Sequence, residues 1–181
     1  MSRIILPKIY VEKLDHPLIF LAGPIMNAPK WQYEAIELII SADDEVLIAS
    51  PTRELKEDLK KYLIPGIENY FHRQREWERH YLDIASQIGA IMFWLPAPAV
   101  HTCDVVYGAM TRIELGQWMT NYRHDKSVRF CVGTDGNFPG FRTIVYDLLH
   151  DALGKDVKGT LEDTCKEAIR LANQLKLIPY T

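Results

Sequence analysis

Nothing in these 181 residues carries a strong electrostatic, membrane or disulfide signature, and each absence narrows the class of protein. Lys and Arg number 21 and Asp and Glu 24, a formal charge of −3, with no Lys/Arg block longer than a pair. Affinity for nucleic acid grows from concentrated positive charge, so no nucleic-acid partner is expected. No apolar run reaches the roughly 18 residues that span a bilayer. The N-terminal MSRIILPKIYVEKLDHP is broken by charges and prolines, unlike a signal peptide. The expectation is a cytoplasmic protein with no membrane partner.

The three cysteines, Cys103, Cys131 and Cys165, are odd in number and far apart, which fits reduced thiols better than a disulfide frame. The six histidines form no H-E-x-x-H or comparable cluster, so no metal is expected, and no Walker loop or other cofactor motif is present. What the chain does have is an ordinary globular composition, 48% apolar and 25% charged, at a length that suits one domain spanning residues 1–181. Disorder, collagen and coiled-coil readings are excluded.

Short apolar runs alternate with longer segments of helical period, the pattern of a parallel sheet with crossover helices. Leu18 to Ala22, Val46 to Ala49, Ala90 to Leu95 and Val128 to Val132 read as buried strands ending in turns. A further short strand is expected near Val157. Trp77, Tyr81, Ile84, Ala85 and Ile88 recur at helical spacing and predict a helix over about residues 68–87. Thr111-Arg-Ile-Glu114 has the form of a capping box and predicts a second helix over about 108–122. Helical period also marks Trp31 to Ile40, Phe141 to Leu149, and Leu161 to Leu175 after the start signal Thr160-Leu-Glu-Asp. The sum is an α/β, flavodoxin-like, doubly wound parallel sheet of about five strands with helices on both faces. The stretch from Pro51 to Tyr70 is the longest irregular connection, with room for a helical turn or two at 53–62, and is a candidate lid or subunit contact.

In such sheets ligands bind beyond the carboxyl ends of the strands, which restricts the candidates to the turns there and to the helix starts that follow. Glu114, read in the first turn of its helix, would sit where free amides and the helix dipole favour its ionised form. It then serves either as a nucleophile toward an electrophilic sugar carbon or as a plain cap for Thr111, and spacing alone leaves both open. Glu78 lies nearer the ligand side than Asp83 on the helix leading into Ala90 to Leu95, which favours it as general acid or orienting group; the alternative is a surface charge paired with Arg75. Asp104 is a third acid in the right loop. Trp77, Trp94 and Trp118 occupy core-facing positions, whereas Trp31, soon after the first turn, is better placed to stack on a planar base. Gly23 suits a close backbone approach to a ligand, and Arg53 and Arg112 are candidate contacts for an anionic group.

Phe20-Leu-Ala22-Gly23-Pro24 with Pro29-Lys-Trp31, then Gln74-Arg-Glu-Trp-Glu-Arg79, Phe93-Trp-Leu-Pro96 and Thr111-Arg-Ile-Glu-Leu-Gly-Gln-Trp118 resemble, in order and spacing, the nucleoside 2-deoxyribosyltransferase-like proteins. The resemblance implies a flavodoxin-like fold and cleavage or exchange of the N-glycosidic bond of a deoxynucleoside or its 5′-phosphate. It matches the family's nucleophile to Glu114, its substrate-side turn to Ala22, Gly23 and Pro24, and the acid of the preceding helix to Glu78. It also implies a homo-oligomer. At the position six before the nucleophile, where well-studied members carry an acid, this chain has Gly108. The expected ligand is a small nucleoside or nucleotide. The rivals are a nucleoside 5′-monophosphate hydrolase and a nucleotide-binding or sensing module with weak chemistry. A flavodoxin-like electron carrier is disfavoured, because no Ser/Thr-rich phosphate loop follows the first apolar run.

Overall fold

The computed structural model of the chain describes residues 3–150 and 154–174. The strands are β1 (Ile4–Ile5), β2 (Leu18–Ala22), β3 (Leu47–Ala49), β4 (Ala90–Leu95), β5 (Phe130–Thr134) and β6 (Val157–Lys158). They form a six-stranded sheet in the order β1-β3-β2-β4-β5-β6, with every pairing parallel. The helices are α1 (Trp31–Ala42), α2 (Gln74–Ile88), α3 (Ala109–His124), α4 (Phe141–His150) and α5 (Leu161–Asn173), with a 3-10 segment at Glu57–Tyr62. This is the doubly wound, flavodoxin-like α/β architecture read from the sequence, with one strand more. The extra strand, Ile4–Ile5, is too short to declare itself by pattern and forms only by pairing with Ile48 and Ala49 of β3.

Both faces of the sheet are covered, so the strands read as unbroken apolar runs rather than alternating ones. In β4 the side chains of Ala90, Met92 and Trp94 pack with Ile36 and Ile39 of α1 and with Cys165 and Ala168 of α5. Its other residues, Ile91, Phe93 and Leu95, pack with Trp77 and Tyr81 of α2 and Trp118 of α3. Trp77 and Tyr81 are fully buried, and each such side chain contributes on the order of 2 kcal/mol of apolar burial. Trp94 and Trp118 are buried as well, which fits their core-facing pattern. Cys103, Cys131 and Cys165 are free thiols, the first exposed and the others buried.

Two helix starts differ from the sequence pattern. The helix expected from residue 68 begins at Gln74, because Tyr70 stacks on Tyr10 with ring centroids 4.2 Å apart and Asn69 turns the chain with φ 55°. Glu76 then caps the helix, accepting the His72 and Arg73 amides at 3.1 and 3.3 Å. The capping box expected at Thr111 does not form. Gly108 is the N-cap of α3, Thr111 is a buried residue inside the helix, and Glu114 lies in its second turn. The end of α5 expected at Leu175 lies outside the described residues; its start is capped by Thr160, whose hydroxyl accepts the Asp163 amide at 3.1 Å.

The connection from Pro51 to Tyr70 packs on the sheet edge. Ile64 donates to the Ile4 carbonyl at 2.9 Å, Tyr10 and Ile67 form an antiparallel bridge, and Leu59 is buried. This covers the edge of β1, which would otherwise present unpaired backbone groups. Among the described residues no helix is long and apolar enough to cross a membrane.

Candidate active site

From β2 the chain passes through α1 to β3 on one side, then through α2 to β4 on the other, so strand order reverses between β2 and β4. Ligand crevices form at such reversals because the outgoing connections diverge. A cleft of about 310 Å³ lies there. Its walls are the turn at 22–27, Pro51, the segment at 105–111, and the side chains of Glu78 and Glu114.

Ala22, Gly23 and Pro24 therefore line the cleft. At Gly23 φ is +155°, and a Cβ there would lie 2.4 Å from the Trp94 carbonyl and 2.7 Å from the Trp31 ring. Only glycine allows that approach. Trp31 does not reach the cleft as a stacking surface. It is 3% exposed, it supports the turn from beneath, and its Nε1 donates to the Pro24 carbonyl at 3.0 Å. The turn is also tied to the loop after β4: Asn27 Nδ2 donates to Thr102 Oγ1 at 2.8 Å, and the Ala99 amide donates to the Asn27 carbonyl at 2.7 Å.

The two acids singled out by sequence meet at one cation. Arg75 Nη1 ion-pairs with Glu114 Oε1 and donates to Glu78 Oε2 at 3.3 Å. Gln74 Nε2 donates to Glu78 Oε1 at 3.0 Å, which fixes the other carboxylate oxygen. Glu114 is 8% exposed. Burial raises its pKa above the ordinary glutamate value; the charge and hydrogen bond of Arg75 work against that rise, and the Glu78 charge adds to it. This replaces the helix-terminus electrostatics expected from the sequence. It also removes the capping alternative, since Thr111 is not an N-cap. The sequence pattern contained Arg75 only as a surface partner of Glu78 at i,i+3; its second partner comes from another helix and has no local signal.

Gly108, one of the residues facing the cleft, enters α3 with φ +66°, and a Cβ there would lie 2.7 Å from the Phe138 ring. Both facts oppose a side chain, so an acid at this position would carry backbone strain and require the Phe138 ring to shift. Tyr107 braces the same loop: its hydroxyl donates to the Pro96 and Ala97 carbonyls at 3.1 and 3.3 Å. Burial, helped by the Asp135 charge, pushes its pKa up to about 12, so it stays a donor at neutral pH.

Three sequence candidates lie off the cleft. Asp104 is exposed in the loop between Thr102 and Val105 and is not part of the wall. Arg112 does not line the cleft; its guanidinium sits 4.5 Å from the Phe138 ring centroid and donates to the Pro139 carbonyl. Arg53 occupies an adjoining groove, its Nε donating to Gln74 Oε1 at 3.1 Å. The arrangement thus offers one buried carboxylate partly neutralised by an arginine, a second carboxylate held beside it, and a turn whose backbone accepts close contact. Such a pair can stabilise positive charge developing on a bound ligand and can form a bond to it. Comparison of the chain with protein-family models finds no match, and comparison with curated proteins finds none either.

Proposed function

We propose that the protein cleaves or exchanges the N-glycosidic bond of a (deoxy)nucleoside or nucleotide through a covalent glycosyl-enzyme on Glu114. The observation that carries this reading is the shared Arg75: one guanidinium holds Glu114 and Glu78 together on the wall of a cleft at the strand-order reversal. The four sequence segments that resemble nucleoside 2-deoxyribosyltransferase-like proteins supply its chemical direction.

In the proposed step the Glu114 carboxylate forms a C–O bond to the anomeric carbon as the C–N bond breaks. The bonding pair leaves with the base, which takes a proton from Glu78 or from water. A fixed carboxylate stabilises the positive charge that the departing base leaves on the sugar. A second base or water then breaks the ester and frees Glu114. Transfer and hydrolysis differ only in access of water to that ester.

The second reading, a nucleotide-binding or sensing module with weak chemistry, is favoured by one observation: Gly108 leaves no acid at the start of α3. The proposed setting is cytoplasmic. A homo-oligomer is part of the same proposal, supported by the exposed apolar rim of Met26, Val106 and Met110, which a second copy would cover.

One experiment tests the reading. The protein is incubated with deoxynucleosides and their phosphates, with and without an acceptor base, and products are separated by chromatography while intact mass is followed for a glycosyl adduct. Base exchange supports transfer, and free base plus sugar supports hydrolysis. Glu114→Ala should abolish both product and adduct with the fold retained; activity within a few-fold of the unaltered protein overturns the assignment.

A further inference from the structure

The charged side chains on the wall of the cleft are Glu78 and Glu114, and the nearby Arg75 is engaged by both. A phosphate placed among them would sit beside two carboxylates, so an anionic substituent must leave the cleft. Toward the start of α3 the exit is apolar, formed by Val105, Val106 and Met110. The other exit is different. Ile25, Met26 and Pro51 are shared with a second cleft of about 510 Å³, whose wall carries Lys30 and Arg53 against the single acid Glu54. Arg53 and Gln74 are shared in turn with a third groove of about 960 Å³, which adds Lys8 and Arg73 against Glu68.

The sign of the charge therefore changes across three adjoining grooves, from two acids at the glycosidic position to four cations and two acids beyond Pro51. Arg53 stands at the junction. Its Nε bond to Gln74 couples it to the catalytic group, because the amide nitrogen of the same Gln74 donates to Glu78. A cleft of about 310 Å³ is at the small end of ligand pockets and suits a nucleoside body, not a longer ligand.

We infer that the substrate carries a phosphate chain: a nucleoside 5′-di- or triphosphate, with its base against Val105, Val106 and Met110, its glycosidic bond over Glu114, and its phosphates running past Pro51 to Arg53. A monophosphate would use only Lys30 and Arg53; Lys8 and Arg73 lie one groove further and serve a longer chain. This rests on the N-glycosidase reading. In the hydrolytic case water enters, and the free base and the sugar 5′-polyphosphate leave, with no phosphoanhydride bond broken.

The test has two arms. In the first, the full-length protein is titrated calorimetrically with inorganic orthophosphate, pyrophosphate and tripolyphosphate. Tripolyphosphate should bind at least tenfold more tightly than orthophosphate, weaken as salt rises, and lose at least tenfold in a Lys30→Ala/Arg53→Ala protein. In the second, kcat/KM is compared across a deoxynucleoside and its mono-, di- and triphosphates. The di- and triphosphates should lead by at least tenfold, and Arg53→Ala should collapse that ratio. Absence of tripolyphosphate binding, unaltered binding in the double variant, or a preference for the nucleoside or monophosphate overturns the inference. Tripolyphosphate binding without turnover of any glycoside supports the groove and overturns only the glycosidase reading.

Discussion

Arg75, in the first turn of α2, ion-pairs with Glu114, which lies 39 residues further along the chain in the second turn of α3. The contact joins two helices that flank β4 and places a cation against a carboxylate that burial alone would protonate more readily.

Replacing that cation should shift the pH dependence in a definite direction. If Glu114 is the nucleophile it must be ionised, so the acidic limb of kcat/KM is expected above the ordinary glutamate range, and Arg75→Met should move it higher because no cation then opposes burial. The same sign governs stability: a carboxyl whose folded pKa is raised binds protons preferentially in the native state, so stability falls as pH rises from its unfolded value through the raised one. Arg75→Met widens that window. The expected loss is about 1–3 kcal/mol at neutral pH and less at acidic pH. Thermal melts at the two pH values check this; an equal loss at both sinks the argument.

Glu78 is held by Gln74 and Arg75 beside Glu114. If it supplies the proton to the departing base, Glu78→Gln lowers the rate on the order of 10²-fold for poor leaving groups and much less for good ones. Rate constants across bases of graded acidity measure the slope. A uniform drop assigns Glu78 to orientation instead.

An acid introduced at position 108 should not raise turnover. Gly108→Asp must adopt φ +66° and displace the Phe138 ring, at a cost of about 1–3 kcal/mol. At roughly 2–4 °C per kcal/mol for a domain of this size, the melting temperature falls by several degrees. A gain in turnover without loss of stability would contradict the geometry.

Trp31 supports the Gly23 turn from beneath and does not line the cleft. Trp31→Phe keeps most of the packing and removes the Nε1 bond to the Pro24 carbonyl, a loss of about 1 kcal/mol. KM should rise by a similar factor for purine and pyrimidine substrates. A loss that scales with the size of the base would restore the stacking role.

How much of this was legible depends on the range of each interaction. The strands β2 to β5 declared themselves because both faces of the sheet are covered, so Leu18–Ala22 and Ala90–Leu95 are apolar at every position. Glu78, Glu114, Gly23 and its neighbours Ala22 and Pro24 were found because strand-end geometry and short motifs pointed to them, and they line one cleft. Trp31, Arg53, Asp104 and Arg112 satisfied the same local criteria and lie beneath or outside it. Local position cannot report which way a side chain turns: Arg112 is two residues from Glu114 on a helix, which places it on another face.

The sequence by itself determined the order of strands β2 to β6 and of the helices, the doubly wound class, and Glu78, Glu114 and the turn at 22–24 as residues of the strand-end edge. Period and turn chemistry act over a few residues, and those properties are local. Only the tertiary structure decided that Arg75 serves two carboxylates, that Phe138 crowds any side chain at position 108, and that the cationic grooves adjoin the acidic cleft. Each of those joins segments tens of residues apart, through Coulomb attraction or steric exclusion across a packed interface. No window of sequence contains both partners.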